Sequence, residues 1–277
     1  MMFMELWRFV MKRLFGVLLA ATLMCTGAHV YALDLGDNIT LPDMISTGNG
    51  WYGSQEVDET EPGTVQGQNW DLEAFFLDDF TLSVVGGFDF INGEASNHAS
   101  GDGNWHFGDI FISTAGYASY DPSAYPELNG NGQVNLDNTF GFDYVISFDR
   151  ADDGKLDAGT MGYSVYSLTD DSILQSVYFD SFDRSGPYAY VDGGDFVENG
   201  TFEVIYDYDN LVGTNVLTGL DLSFLNTTDN VLFSVTEQCG NDVLVGDPVN
   251  PVPEPGTLLL LGAGLLGILG LGKRIKN

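Results

Sequence analysis

The chain has 277 residues, a formal net charge of −31, 19 Phe and 13 Tyr. This excess of negative charge excludes a nucleic-acid partner, because binding a polyanion requires a basic surface. The aromatic content is sufficient for a hydrophobic core and therefore argues against an intrinsically disordered chain.

The charges are unevenly distributed along the chain. Of the 40 Asp and Glu residues, all except Glu5 and Glu254 lie between residues 33 and 250. Of the nine Lys and Arg residues, that segment holds Arg150, Lys155 and Arg184 alone, so it carries 38 acids, three bases and a formal charge of −35. Its expected counterparts are water, cations, neutral glycans or basic surfaces. A solvated surface suited to a saline habitat is the simplest explanation of this acidity.

Residues 1–32 have the pattern of a secretory signal peptide. Lys12 and Arg13 precede an apolar run over 14–24, and the small residue Ala32 closes a cleavage site. The apolar run is shorter than the roughly 20 residues that a membrane span needs. We therefore predict cleavage after Ala32; either Met1 or Met11 can serve as the start of this signal.

Residues 33–246 form the predicted folded domain, and their pattern is all-β. Short apolar or alternating runs are separated by clusters of Gly, Asn and Asp, which is typical of strands joined by turns. We predict strands near residues 50–57, 70–77, 80–90, 108–114, 140–148, 163–168, 173–179, 202–208, 220–225 and 231–236. This number of strands, spaced about ten residues apart, favours a β-sandwich of jelly-roll type.

The loop over residues 149–159 is the best candidate for a metal site. Calcium binds six to eight oxygen atoms, and a loop rich in Asp and Gly can supply them. The candidate ligands are Asp149, Asp152, Asp153 and Asp157. The loop is not an EF-hand, because Ala151 and Thr160 occupy positions where that motif requires acidic ligands. The alternative interpretation is a solvated turn between two strands.

Aromatic residues in Gly- and Asn-rich segments are candidates for stacking on sugar rings. The predicted stacking residues are Trp51, Trp105 and Tyr120. Such a platform needs two or three exposed, coplanar rings beside polar side chains, and its ligand here would be an exopolysaccharide. The alternative interpretation is that these rings belong to the core or to turns.

The domain is predicted not to be an enzyme. It contains His98 and His106 but neither the H-E-x-x-H motif of zinc proteases nor the G-x-S-x-G motif of hydrolases. A secreted glycoside hydrolase stays open as a distant alternative, since that reaction needs only two suitably spaced carboxylates.

The C-terminal segment combines three physical features in order. A proline-rich linker over residues 247–256 contains Pro253, Glu254 and Pro255, and cannot be helical. Residues 257–272 carry no charge and would span roughly 24 Å as a transmembrane helix. Residues 273–277 form a basic tail through Lys273, Arg274 and Lys276, which places that end in the cytoplasm and the domain outside.

This arrangement resembles the PEP-CTERM sorting signal of Gram-negative bacteria. The resemblance implies processing by a membrane-embedded exosortase and delivery to the outer surface of the envelope or to the extracellular matrix. The predicted function is a structural or adhesive role in envelope or biofilm, with a calcium-assisted carbohydrate-binding module as the alternative. Residues 106–113 and 239–242 also resemble segments of PEP-tailed exoproteins, but we assign no chemistry to them.

Overall fold

A computed structural model describes residues 35–41, 68–97, 99, 101–115, 133–177, 187–207, 214–240 and 242–249. These residues form short strands and one 3₁₀ turn, Gln68–Trp70. The strands are β1 (Asp37–Asn38), β2 (Ala74–Asp78), β3 (Thr81–Gly86), β4 (Glu94–Ala95), β5 (Asn104–Trp105), β6 (Ile110–Ser113), β7 (Asn135–Asp137), β8 (Tyr144–Phe148), β9 (Gly162–Ser167), β10 (Ile173–Ser176), β11 (Pro187–Asp192), β12 (Asp195–Thr201), β13 (Glu203–Ile205), β14 (Asn215–Asp221), β15 (Leu232–Thr236) and β16 (Val243–Gly246).

The strands form four antiparallel sheets. The largest has the order β12-β9-β8-β6-β15-β16, and a five-stranded sheet has the order β1-β2-β3-β14-β13. A three-stranded sheet joins β11, β10 and β7, and β4 pairs with β5. This architecture confirms the all-β prediction and resembles a sandwich. The finer prediction of a jelly-roll strand order is not established by these pairings and stays a prediction.

The six-stranded sheet is packed on both faces. Alternate residues of a strand point to opposite faces, and in β6 both faces are apolar. Ile110 and Ile112 belong to one hydrophobic core, whereas Phe111 between them belongs to a second. The same division occurs in β16, where Leu244 lies in the first core and its neighbours Val243 and Val245 lie in the second.

The first core joins the six-stranded and five-stranded sheets. Phe75 of β2 is fully buried and its ring centroid lies 6.1 Å from that of Phe233 in β15. The second core joins the opposite face of the six-stranded sheet to the three-stranded sheet. There Phe111 and Val145 cluster with Leu174 of β10 and with residues of the loop that precedes β8. The described residues therefore form three packed layers.

Several predicted strands coincide with observed ones, but the prediction does not include β1, β4, β5, β7 or β16, and two further regions differ. The predicted strand over 220–225 is wrong beyond Asp221, where β14 ends and a turn begins. Leu222 and Leu225 in that turn are nevertheless buried, which explains their apolar character. The sequence interpretation also missed β11 and β12. Between them Gly193 and Gly194 both adopt positive φ, and the chain passes there from the three-stranded to the six-stranded sheet.

The predicted signal peptide, the strand over 50–57 and the transmembrane segment 257–272 lie outside the described residues. Within the described part of the chain, no helix has the length and apolar character needed to cross a membrane.

We expect the second core to make a large contribution to stability. Replacing the buried Phe111 with Ala should lower the free energy of unfolding by about 3–5 kcal/mol, because it leaves a cavity between two layers. Urea unfolding of the full chain measures this change. The control is Phe80→Ala at a side chain that is 38% exposed, which should cost about 1 kcal/mol or less. Equal effects of the two substitutions would contradict the three-layer packing.

Candidate functional site

The predicted calcium loop is the hairpin that connects β8 to β9. Its backbone is held by hydrogen bonds from Asp157 N to Asp149 O at 2.8 Å and from Ala151 N to Lys155 O at 2.9 Å. Asp149 Oδ2 accepts a hydrogen bond from Thr160 Oγ1 at 3.2 Å, and Asp157 Oδ1 accepts one from Gly159 N at 2.8 Å. These carboxylates therefore stabilise the turn itself.

The remaining two candidate ligands do not complete a cation site. Asp153 forms an ion pair with Lys155 Nζ at 3.1 Å, which neutralises its charge locally, and Asp152 is exposed. Among the residues that the structure describes, no group of three or more His, Cys, Asp or Glu side chains is placed to hold a metal ion. The structure therefore does not bring the four predicted calcium ligands together.

The predicted stacking residues do not form a platform in the described structure. Trp105 is only 4% exposed and belongs to the first core, so it has no open face for a sugar and the stacking prediction is wrong for this residue. Trp51 and Tyr120 lie outside the described residues, as do Pro253, Glu254 and Pro255 and the basic residues Lys273, Arg274 and Lys276.

An ion pair between a buried carboxylate and a partly buried guanidinium joins two of the three layers. Asp109 is 1% exposed, and its Oδ1 accepts hydrogen bonds from Arg150 Nη2 at 2.7 Å and from Phe148 N at 3.2 Å. Its Oδ2 accepts a hydrogen bond from Tyr190 N in β11 at 2.8 Å. Arg150 also donates through Nη1 to Phe107 O at 2.8 Å. The pair thus connects the six-stranded sheet to the three-stranded sheet.

A second polar network lies beside the hairpin. His106 Nε2 lies 3.4 Å from Asp102 Oδ1, and Lys155 Nζ lies 3.0 Å from Asp102 Oδ2. His106 is 5% exposed, and this burial lowers its pKa below the ordinary value for histidine. Because Lys155 is shared between Asp102 and Asp153, the network joins the β8–β9 hairpin to the turn between β4 and β5.

Buried carboxylates form a third cluster near the start of β16. Glu237 and Asp242 are 0% and 2% exposed, and Glu237 Oε2 accepts a hydrogen bond from Asp242 N at 2.9 Å. Asp242 Oδ2 in turn accepts one from Leu72 N at 2.7 Å. Burial, followed by repulsion from Asp242 and Asp71, raises the pKa of Glu237 well above its ordinary value. This cluster therefore favours a protonated Glu237.

An exposed apolar patch lies on β12, at the edge of the six-stranded sheet. We call the group Tyr166, Tyr190, Val191, Phe196 and Val197 the β12 edge patch. Phe196 is 58% exposed, and its ring contacts Tyr166 edge-on, with centroids 6.0 Å apart and planes at 75°. Tyr166 stacks on Tyr190 at 4.4 Å and 16°. Phe196 is therefore an exposed ring that packs on Tyr166, which is itself stacked on Tyr190.

The hydrogen bonding of Tyr190 fixes this support. Its backbone N–H donates to the buried Asp109, and its hydroxyl donates to Gly193 O at 2.6 Å. Burial, followed by the influence of Tyr166, raises the pKa of Tyr190 to about 12, so the hydroxyl keeps its proton near neutral pH. The ion pair of Arg150 with Asp109 therefore positions the β12 edge patch.

The surroundings of the β12 edge patch are acidic. Asp192 and Asp195 are exposed beside it, and Glu198 follows in the same strand. The bases among the described residues, Arg150 and Lys155, are both paired with other carboxylates. The sequence interpretation missed this patch because β12 does not alternate between apolar and polar residues. The signal available was the adjacent pair Phe196-Val197 among acidic residues.

The comparisons with known proteins concern the C-terminal segment. Residues 251–274 match the family model of the PEP-CTERM protein-sorting motif. Neither the curated proteins nor the solved structures give a match to the chain. The match confirms the resemblance that the sequence indicated for its C-terminal segment.

The buried ion pair should make a large contribution to stability. Replacing Arg150 with Met would leave the carboxylate of Asp109 buried without its charged partner, and should lower the free energy of unfolding by about 3–5 kcal/mol. The matched control is Lys155→Met, whose ion pairs are more exposed and should contribute much less. Chemical denaturation of both variants measures the difference. If Arg150→Met costs no more than Lys155→Met, the pair is not the connection described above.

Glu237 should make the domain less stable as the pH rises. The folded state binds its proton more tightly than the unfolded state, in which the pKa of a Glu lies near its ordinary value of 4.5. Its favourable contribution is therefore complete below that value and is lost as the pH rises towards the folded pKa. Glu237→Gln should leave stability at low pH almost unchanged and increase it at neutral pH. Thermal denaturation as a function of pH tests this, and parallel curves for the two proteins would contradict it.

Proposed function

We propose that this exported chain, an exosortase substrate by its PEP-CTERM motif, is a non-catalytic structural or adhesive protein of the cell envelope or extracellular matrix. The motif places the protein among those that are exported and sorted to the envelope. The uncleaved precursor would be anchored transiently in the inner membrane through residues 257–272.

The β12 edge patch is the observation that supports the adhesive role. Six large apolar side chains among the described residues are at least about a third exposed, and three of them, Val191, Phe196 and Val197, fall within seven consecutive residues. Grouped apolar exposure on a soluble surface is typical of an interaction site. An aromatic ring that neighbouring rings hold in place is also typical of the residues that dominate binding energy.

A calcium-assisted carbohydrate-binding module is the second candidate. The exposed ring of Phe196 beside Asp195 favours it, because sugar sites combine an aromatic face with carboxylates for the hydroxyl groups.

Sorting should depend on the three residues of the motif. Replacing Pro253, Glu254 and Pro255 with Ala in the full chain should leave the precursor uncleaved in the inner-membrane fraction of the producing organism. Pro248→Ala in the same linker is the control and should be processed normally. Fractionation followed by immunoblotting measures both. Delivery of the triple variant to the outer envelope would contradict the proposed route.

Retention after sorting should depend on the β12 edge patch. Phe196→Lys removes the exposed ring, so the variant should be processed normally but released into the medium. Phe80→Lys is the matched control, because Phe80 is also an exposed ring but lies between β2 and β3. The ratio of bound to released protein measures the effect, and equal retention of both variants would contradict adhesion through β12.

The two candidate functions are distinguished by binding to the organism's own exopolysaccharide. Purified full chain should be retained on it only in the second candidate, and that retention should be abolished when EDTA replaces calcium. Absence of retention in both buffers would eliminate the carbohydrate-binding candidate.

A further inference from the structure

We propose that the β12 edge patch binds an extended, basic segment of a partner protein, which adds to the six-stranded sheet as a further strand beside β12. This inference rests on the proposed adhesive function and names the class of partner. Three features of the described residues carry it: an open sheet edge, an exposed anchor ring, and an uncompensated negative charge.

The open edge is the first feature. β12 is seven residues long, lies at the end of the sheet order and contains neither Lys nor Pro. Within the described residues β12 pairs with β9 alone. An edge strand presents alternate N–H and C=O groups to solvent and can pair with another chain. Natural proteins usually protect it with charged side chains, especially Lys, or with Pro, short length or bulges. A bulge at Val197 leaves residues 198–201 in regular register.

The opposite edge of the same sheet shows the contrast. There β16 is covered by residues 39–41 through hydrogen bonds from Leu41 N to Val245 O at 2.8 Å and from Asp247 N to Ile39 O at 2.7 Å. The chain therefore covers one edge of its largest sheet with its own backbone. Across the described residues no backbone hydrogen bond to another segment covers β12 in this way.

Phe196 supplies the anchor. Its ring is 58% exposed yet is held against Tyr166, which is stacked on Tyr190. Because these rings are already ordered, binding a partner costs little additional conformational entropy. A side chain on an added strand would lie about 5 Å from a neighbour of the same face, which is within reach of an aromatic ring.

Charge selects the partner. Asp192, Asp195 and Glu198 flank the anchor, while the described bases are already paired. A segment with Lys or Arg complements this edge, and its aliphatic stem can lie on the Phe196 ring while the cation faces the carboxylates. A second copy of the chain is a poor partner, because residues 33–250 of both copies carry a formal charge of −35.

The ring geometry favours a peptide over a sugar. A sugar platform uses rings that present their faces side by side. Here the faces of Tyr166 and Tyr190 cover one another, and Phe196 is inclined at 75° to Tyr166. An open backbone edge instead permits strand addition, where main-chain hydrogen bonds give affinity and side-chain contacts give selectivity.

The test uses purified full chain and a fluorescent eight-residue peptide of alternating Lys and Val at physiological salt. A second peptide is identical except for N-methylation of alternate backbone amides on its pairing side, which keeps the charge but removes the hydrogen bonds. We expect the unmodified peptide to bind, and its Kd to rise at least about tenfold on N-methylation and on Phe196→Lys. Phe80→Lys should bind as the wild type does.

Each alternative outcome is informative. Equal binding of the two peptides would show charge attraction alone and would overturn strand addition. Absence of peptide binding, together with Phe196-dependent retention on exopolysaccharide, would overturn it in favour of a sugar site while leaving the adhesive function intact. Retention of Phe196→Lys in the matrix of whole cells would instead remove the proposed function on which this inference rests. Circular dichroism of Phe196→Lys establishes that the variant is folded, as its exposed position predicts.

Discussion

The ion pair between Asp109 and Arg150 is the interaction on which the rest of the described structure depends. A single buried carboxylate accepts hydrogen bonds from β8, from Arg150 at the start of the hairpin and from Tyr190 in β11. It therefore joins two sheets at one point. Because a buried charge is costly unless it is paired and fully hydrogen-bonded, loss of any one of these contacts affects the others.

The same ion pair connects the interior to the surface. Asp109 fixes the backbone of Tyr190, whose ring stacks on Tyr166, and Tyr166 supports the exposed ring of Phe196. Three contacts thus separate the buried charge from the proposed binding surface. The β12 edge patch is held in place because Tyr166 and Tyr190 pack on each other next to Phe196. An edge strand can therefore present an ordered aromatic side chain.

The acidic composition has several different structural consequences. Some carboxylates stabilise turns, as Asp149 and Asp157 do in the β8–β9 hairpin. Others are buried, as Glu237 and Asp242 are, and this burial together with their mutual repulsion raises the pKa of Glu237 above its ordinary value. The remainder leave the exterior negative, because the described bases are paired with other carboxylates. An envelope protein with such a surface is well hydrated and resists association with copies of itself.

Much of the fold could be predicted from the sequence, but the candidate site could not. Alternating or continuous apolar runs identified β8, β9 and β15. The calcium loop was predicted from composition, which does not report whether carboxylates converge, and here Lys155 and backbone amides engage them. Trp105 was predicted at the surface because Gly and Asn surround it, yet its ring belongs to the core.

The sequence by itself determined the sorting to the envelope, the all-β class and the net charge, because each depends on a contiguous motif, a local residue pattern or the composition. Its C-terminal motif is contiguous, and the PEP-CTERM match over residues 251–274 needs no tertiary information. Only the tertiary structure decided that the six-stranded sheet is buried on both faces, that β16 is covered and that β12 is an edge. These properties depend on contacts between residues distant in the chain, as between Asp109 and Tyr190, and a pattern read along the chain cannot supply such contacts.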